Sequence, residues 1–245
     1  MAFVSLYSIS DYLVGESFLL MRPKTTPKGI IIALHGHGAS SLQFIPYVDS
    51  QISGPGYHVW KLVEAGYLVC AIDAGGPLTW GNASSVAAVS SAITWLNTKG
   101  YDVSKVGIMG WSMGTAVGLN WIKRNPTKVF SALLWAVMPN LDWARNNSSA
   151  WATEQDAAYG NNYALNSPGY KIADEPASFR NICPIKIYHG DADATIPILQ
   201  AQEFVADVND PLVSLTTVAG KDHSTVFGGV TAQSVIQFFK QNWFV

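Results

Sequence analysis

Charge is scarce in this chain. Of 245 residues only 13% are Asp, Glu, Lys or Arg, and the formal net charge is −2. There is no basic cluster and no block of like charge, which argues against nucleic acid as a partner. Cysteine is scarcer still: Cys70 and Cys183 are the only two, too few for a disulfide framework. Both adjoin apolar runs and read as small buried hydrophobes. Thiols of that kind lean the chain towards a cytoplasmic setting without fixing the compartment. Long apolar runs are missing too. The composition is 49% hydrophobic, yet no stretch approaches the roughly 18 apolar residues of a membrane span. The opening MAFVSLYSISDYLVG has no basic segment followed by an apolar one, so no signal peptide is expected. With no repeat or linker in view, residues 1–245 read as a single domain. Nothing in the sequence sets an oligomeric state.

What the chain does have is alternation. Short β-branched runs, GIIIAL at 29–34, YLVCAID at 67–73, KVGIM at 105–109 and VFSALLWAV at 129–137, take turns with stretches of helical periodicity. Tyr12–Met21 supplies one or two early strands, and PIKIY and LVSLTTV two late ones. In the stretch 84–99, Val86, Val89, Ile93 and Leu96 fall three and four apart, and Gly100 sits where a helix C′ residue belongs. Strands alternating with helices predict an α/β fold, a mostly parallel sheet covered on both faces. One segment breaks the pattern. Residues 138–181 are rich in Asn, Ser, Ala and aromatics with no clear strand, and a connection of that length predicts a lid or substrate-binding insertion.

The chemistry is concentrated in three loops that follow predicted strands. Gly110-Trp111-Ser112-Met113-Gly114 stands between a strand and a helix, the setting of a nucleophile elbow. Serine is a poor nucleophile at its own pKa and needs a base, which in turn needs an acid to orient it. Asp193, after PIKIY, and His223, after LVSLTTV, supply that pair, in the order Ser, Asp, His. All three lie past the carboxyl ends of predicted strands, where open α/β sheets place their sites. Asp191 and Asp142 are rivals for the acid, Asp191 reading otherwise as a loop-ordering side chain. The glycine-rich His35-Gly36-His37-Gly38 loop can turn amide groups towards a ligand. Its H-x-H pattern lacks a third ligand for a metal.

The pieces LHGHG, GWSMG, HGDADATIP and GKDH, spread over residues 29–225, resemble the α/β-hydrolases. Their pattern is similar to that of the dienelactone-hydrolase-like and prolyl-oligopeptidase-like serine hydrolases. The resemblance implies an eight-stranded sheet in the order 1-2-4-3-5-6-7-8, with the 138–181 insertion after strand 6. It implies an oxyanion hole made by the amide of His37 or Gly38 together with that of Met113. It also places the acid at the second Asp of the HGDxD loop, Asp193. Dienelactone hydrolases proper carry Cys where this chain has Ser112, so their particular reaction does not transfer. Prolyl-oligopeptidase-type peptidases carry an additional propeller that a chain of this length does not hold.

The expected activity is hydrolysis of a carboxylic ester, on a small molecule or borne on a polymer, by Ser112, His223 and Asp193 with no cofactor or metal. Peptidase, acyltransferase and non-catalytic binding roles are the alternatives. Trp80, Trp111, Trp143 and Trp151 lie in or beside the predicted loops and are candidates for a substrate-binding wall.

Overall fold

In the computed structural model, which describes residues 5–13, 16–45 and 54–243, the β-branched runs assemble into one eight-stranded sheet. Its strands are β1 (Ser5–Leu13), β2 (Glu16–Arg22), β3 (Ile30–Leu34), β4 (Leu68–Ile72), β5 (Val106–Trp111), β6 (Val129–Trp135), β7 (Ile185–Gly190) and β8 (Val213–Val218). They are arranged β1-β2-β4-β3-β5-β6-β7-β8, the order implied by the resemblance. From β4 to β8 every pairing is parallel, while β1 and β2 join antiparallel at one edge.

Burial follows the period of two that a doubly covered sheet demands. Ile30, Ile32 and Leu34 of β3 enter one core, and Ile31 and Ala33 the other. The first core is closed by helices α2 (Ala83–Thr98), α3 (Met113–Arg124) and α7 (Leu199–Val208), through residues such as Val89, Leu119 and Phe204. The second is closed by α1 (Pro55–Glu64) and α8 (Ala232–Trp243), through Val59, Leu62, Val235 and Phe239. Each such buried side chain contributes about 1.5–3 kcal/mol.

The sequence placed the element ends within a few residues, with two instructive departures. β1 begins at Ser5, upstream of the expected start, because the serines of SLYSISDYL mask a strand that only its pairing with β2 reveals. β7 continues through His189-Gly190, which pair with Thr217 and Val218 of β8. The segment 138–181 holds three helices, α4 (Leu141–Asn147), α5 (Ser149–Ala158) and α6 (Tyr163–Asn166), followed by short 3-10 turns and no strand. Leu141, Tyr159, Tyr163 and Ile172 anchor it in the first core.

The topology fixes where a site can form. After β3 the chain moves outward to β4, then returns to lay β5 on the other side of β3. At such a switch the two connections leave in opposite directions, opening a crevice at the carboxyl ends of β3 and β5. The loop at His35 and the turn at Ser112 both start there.

Candidate active site

The turn between β5 and α3 is tight enough to require its glycines. Ser112 has φ 53° and ψ −123°, a left-handed conformation costly for a residue with a Cβ. A Cβ on Gly114 would stand 2.3 Å from the Leu34 carbonyl oxygen, and one on Gly110 would stand 3.0 Å from that of Gly114. The surroundings hold the strained serine in place. Its amide donates to Trp135 O at 3.0 Å, and its carbonyl accepts from the Thr115 hydroxyl at 2.6 Å. The Thr115 hydroxyl accepts in turn from the Met138 amide at 3.0 Å. Ser112 Oγ does not cap its own helix; it lies 3.0 Å from His223 Nε2.

Asp193 and His223 reach the serine from the loops after β7 and β8, beyond the intervening β6. His223 Nδ1 donates to Asp193 Oδ2 at 2.8 Å. The two loops interlock because Gly190 has no side chain: a Cβ there would meet Lys221 O at 2.0 Å. Asp193 Oδ1 accepts the amides of Thr195 (2.9 Å) and Ile196 (2.8 Å). Burial disfavours its charge, but the hydrogen bonds from His189, His223 and the Ile196 amide outweigh that and hold the carboxyl well below the usual carboxylate range. The His223 loop is ordered by Asp222, whose carboxylate accepts the amides of Ser224 (2.9 Å) and Thr225 (2.8 Å).

The rival carboxylates are engaged elsewhere. Asp191 Oδ1 accepts the Gly220 amide at 2.6 Å, tying the acid loop to the turn after β8. Asp142 accepts Tyr163 OH and Lys171 Nζ, both at 2.8 Å, inside the insertion. One residue that sequence reasoning left outside the site belongs to it. His189 is fully buried, donates from Nε2 to Ile196 O at 2.8 Å and stands 3.3 Å from Asp193 Oδ2. Its signal was the His-Gly just ahead of the acid loop.

At the end of β3 the two glycine-loop amides differ. The Gly38 amide donates to Pro77 O at 3.0 Å and so is not free for a ligand. Among the described residues no acceptor stands against the amides of His37 or Met113. His35 is buried, with its ring nitrogens against Gly36 O (2.7 Å) and Asp73 O (2.9 Å). His37 instead reaches Glu154 Oε2 at 2.6 Å. The H-x-H pair therefore serves two separate sets of partners.

The four tryptophans divide. Trp111 lies beside His223, with ring centroids 5.6 Å apart, and its indole N–H donates to His223 O at 3.3 Å. Trp151 of α5 stands 6.2 Å from the His37 ring. Trp80 is only 1% exposed and offers no open face. Trp143 packs on the first core from α4.

An α/β sheet with a serine on the elbow after β5 and an imidazole–carboxylate pair turned towards it defines an α/β-hydrolase of the serine class. The chain belongs to the prolyl oligopeptidase family, whose pattern matches residues 59–244. Its structure is similar to that of an S-formylglutathione hydrolase from Agrobacterium tumefaciens, with TM-score 0.73 and 16% identity over 97% of this chain and 94% of that one. It is similar to a dienelactone hydrolase from Anabaena variabilis, with TM-score 0.65 and 18% identity over 98% of both chains. A puromycin-hydrolyzing peptidase from Mycobacterium tuberculosis is matched with TM-score 0.70 and 16% identity over 93% of this chain, which spans 38% of that one. No curated protein matches the chain in sequence.

Proposed function

We propose that the protein hydrolyses carboxylic esters through an acyl-enzyme. The observation that carries this reading is the unbroken line from Ser112 Oγ to His223 Nε2 (3.0 Å) and from His223 Nδ1 to Asp193 Oδ2 (2.8 Å). Ser112 Oγ attacks the ester carbonyl carbon as His223 Nε2 takes its proton. Asp193, kept ionised, fixes the tautomer and stabilises the imidazolium. The carbonyl oxygen gains the negative charge, and the amides of His37 and Met113 are the donors free to receive it. Collapse breaks the C–O bond, and His223 returns its proton to the departing alcohol. Water, deprotonated by His223, then attacks the acyl carbon, and Ser112 leaves with the proton.

An ester is the less demanding substrate, because its carbonyl loses less resonance stabilisation on attack than that of an amide. Peptide cleavage is a second reading, favoured by the family match. The two separate on p-nitrophenyl esters of increasing acyl length against aminoacyl p-nitroanilides, with Ser112→Ala as control. Ester turnover that Ser112→Ala abolishes, with slow or no anilide turnover, supports the ester reading. Faster kcat/KM on an anilide overturns it in favour of the peptidase. The acyl-length optimum then distinguishes acetylated sugars from lipid or polyester substrates.

A further inference from the structure

The amide of His37 is one of the two donors free to take the oxyanion, and its side chain is held from a distant part of the chain. His37 Nε2 donates to Glu154 Oε2 at 2.6 Å, a contact 117 residues apart in sequence. Charge-assisted bonds of this length are short and directional. The His37 ring is packed by Trp80 at 5.3 Å and Trp151 at 6.2 Å, and these two indoles meet edge to face at 5.6 Å. Glu154 and Trp151 both sit on α5, within the 138–181 insertion.

That helix is itself anchored. Gln155 is fully buried and donates to Leu141 O at 3.2 Å. Asn82 Nδ2 donates to Ala158 O at 2.6 Å, and Tyr159 OH to Trp80 O at 3.1 Å. The loop carrying Trp80 also supplies Pro77, whose carbonyl holds the Gly38 amide at 3.0 Å. Loop and insertion thus clamp two consecutive residues of the glycine loop. Without them, Gly38, at φ 71° with nothing within 4 Å of its Cβ position, would leave the His37 peptide free to turn.

We infer that Glu154 is a positioning residue, bracing His37 so that its amide points at the developing oxyanion. The inference rests on the ester-hydrolase reading above. The His37 and Glu154 side chains are 33% and 25% exposed, so solvent screening leaves the pair little weight in overall stability. Its effect lies in geometry, where a misplacement of an ångström near the reacting atoms costs up to about a hundredfold in rate.

The test is a double-mutant cycle of Glu154→Gln and His37→Ala on the full chain. It is read by kcat and KM on p-nitrophenyl acetate and by the rate of Ser112 labelling with a fluorophosphonate. Each single variant is expected to lower kcat and the labelling rate by about ten- to a hundredfold, with KM within about threefold. The double variant should fall no further than the worse single one, because both remove the same brace. Glu154→Asp, one methylene shorter, should lie between Gln and wild type. Wild-type rates in Glu154→Gln, a change confined to KM, or fully additive losses would overturn the inference while leaving Ser112 as nucleophile. Wild-type protein that is not labelled at Ser112 would bring down the nucleophile assignment and this inference with it.

Discussion

Gly114 lies directly under the Leu34 carbonyl: a Cβ built on it would be 2.3 Å from that oxygen and 2.5 Å from the next, His35 O. The first turn of α3 is thereby pressed against the end of β3, and the pressure lifts Ser112 into the crevice between β3 and β5. Gly114→Ala should force helix and strand apart, since neither contact is with a flexible side-chain end. The expected cost is about 3 kcal/mol, read as a fall in urea midpoint, with loss of ester turnover beyond tenfold. Gly110→Ala, whose Cβ would meet Gly114 O at 3.0 Å, should be milder on both counts.

Asp193 and Asp191 are two residues apart and should behave as different kinds of residue. Asp193→Asn removes the acceptor that fixes the His223 tautomer, and kcat should fall by about ten-thousandfold with KM little changed. Asp191→Asn weakens only the tie to the Gly220 amide. It should cost about 1 kcal/mol of stability and leave turnover within a few-fold of wild type. Equal losses from the two would show that the acid has been assigned to the wrong aspartate.

Acid should destabilise the wild type through Asp193. Its pKa is lowered on folding, so its contribution is fully present above the unfolded value near 3.9 and is lost as pH falls towards the folded value. The urea midpoint of wild type should therefore drop below about pH 4 more steeply than that of Asp193→Asn. Parallel curves would mean that the carboxylate is not held as its hydrogen bonds indicate.

The two thiols should be silent in the native state. Cys70 and Cys183 are both buried, and burial pushes the Cys183 thiol up to about 12. A thiol reagent such as DTNB at pH 8 should modify neither until guanidinium unfolds the chain, and both afterwards. Rapid reaction of folded protein would place one of them at the surface.

Much of this architecture was open to reading along the chain. Alternating β-branched runs and helical periodicity marked the strands from β3 to β8 and the helices α1, α2, α3, α7 and α8, because each is short and internally regular, whereas the helices of 138–181 carry no such mark. The positions of Ser112, Asp193 and His223, the residues proposed to act together, were open to reading as well, since each follows a strand and their order along the chain is that of the strands. Other things had no local signature. Whether His37 or Gly38 has a free amide depends on Pro77, which lies on a separate loop. That Trp80 is buried while Trp111 flanks His223 follows from packing, not from composition.

Local sequence encodes the layered α/β sheet and the three strand-end residues proposed for acyl transfer, because periodicity and turn chemistry act over a few neighbouring positions. Tertiary structure alone decided which glycine-loop amide stays free and that Glu154 grips His37 across 117 residues. Those are contacts between segments distant in the chain. No local preference encodes them; they exist only once the sheet has brought its strand ends to one edge.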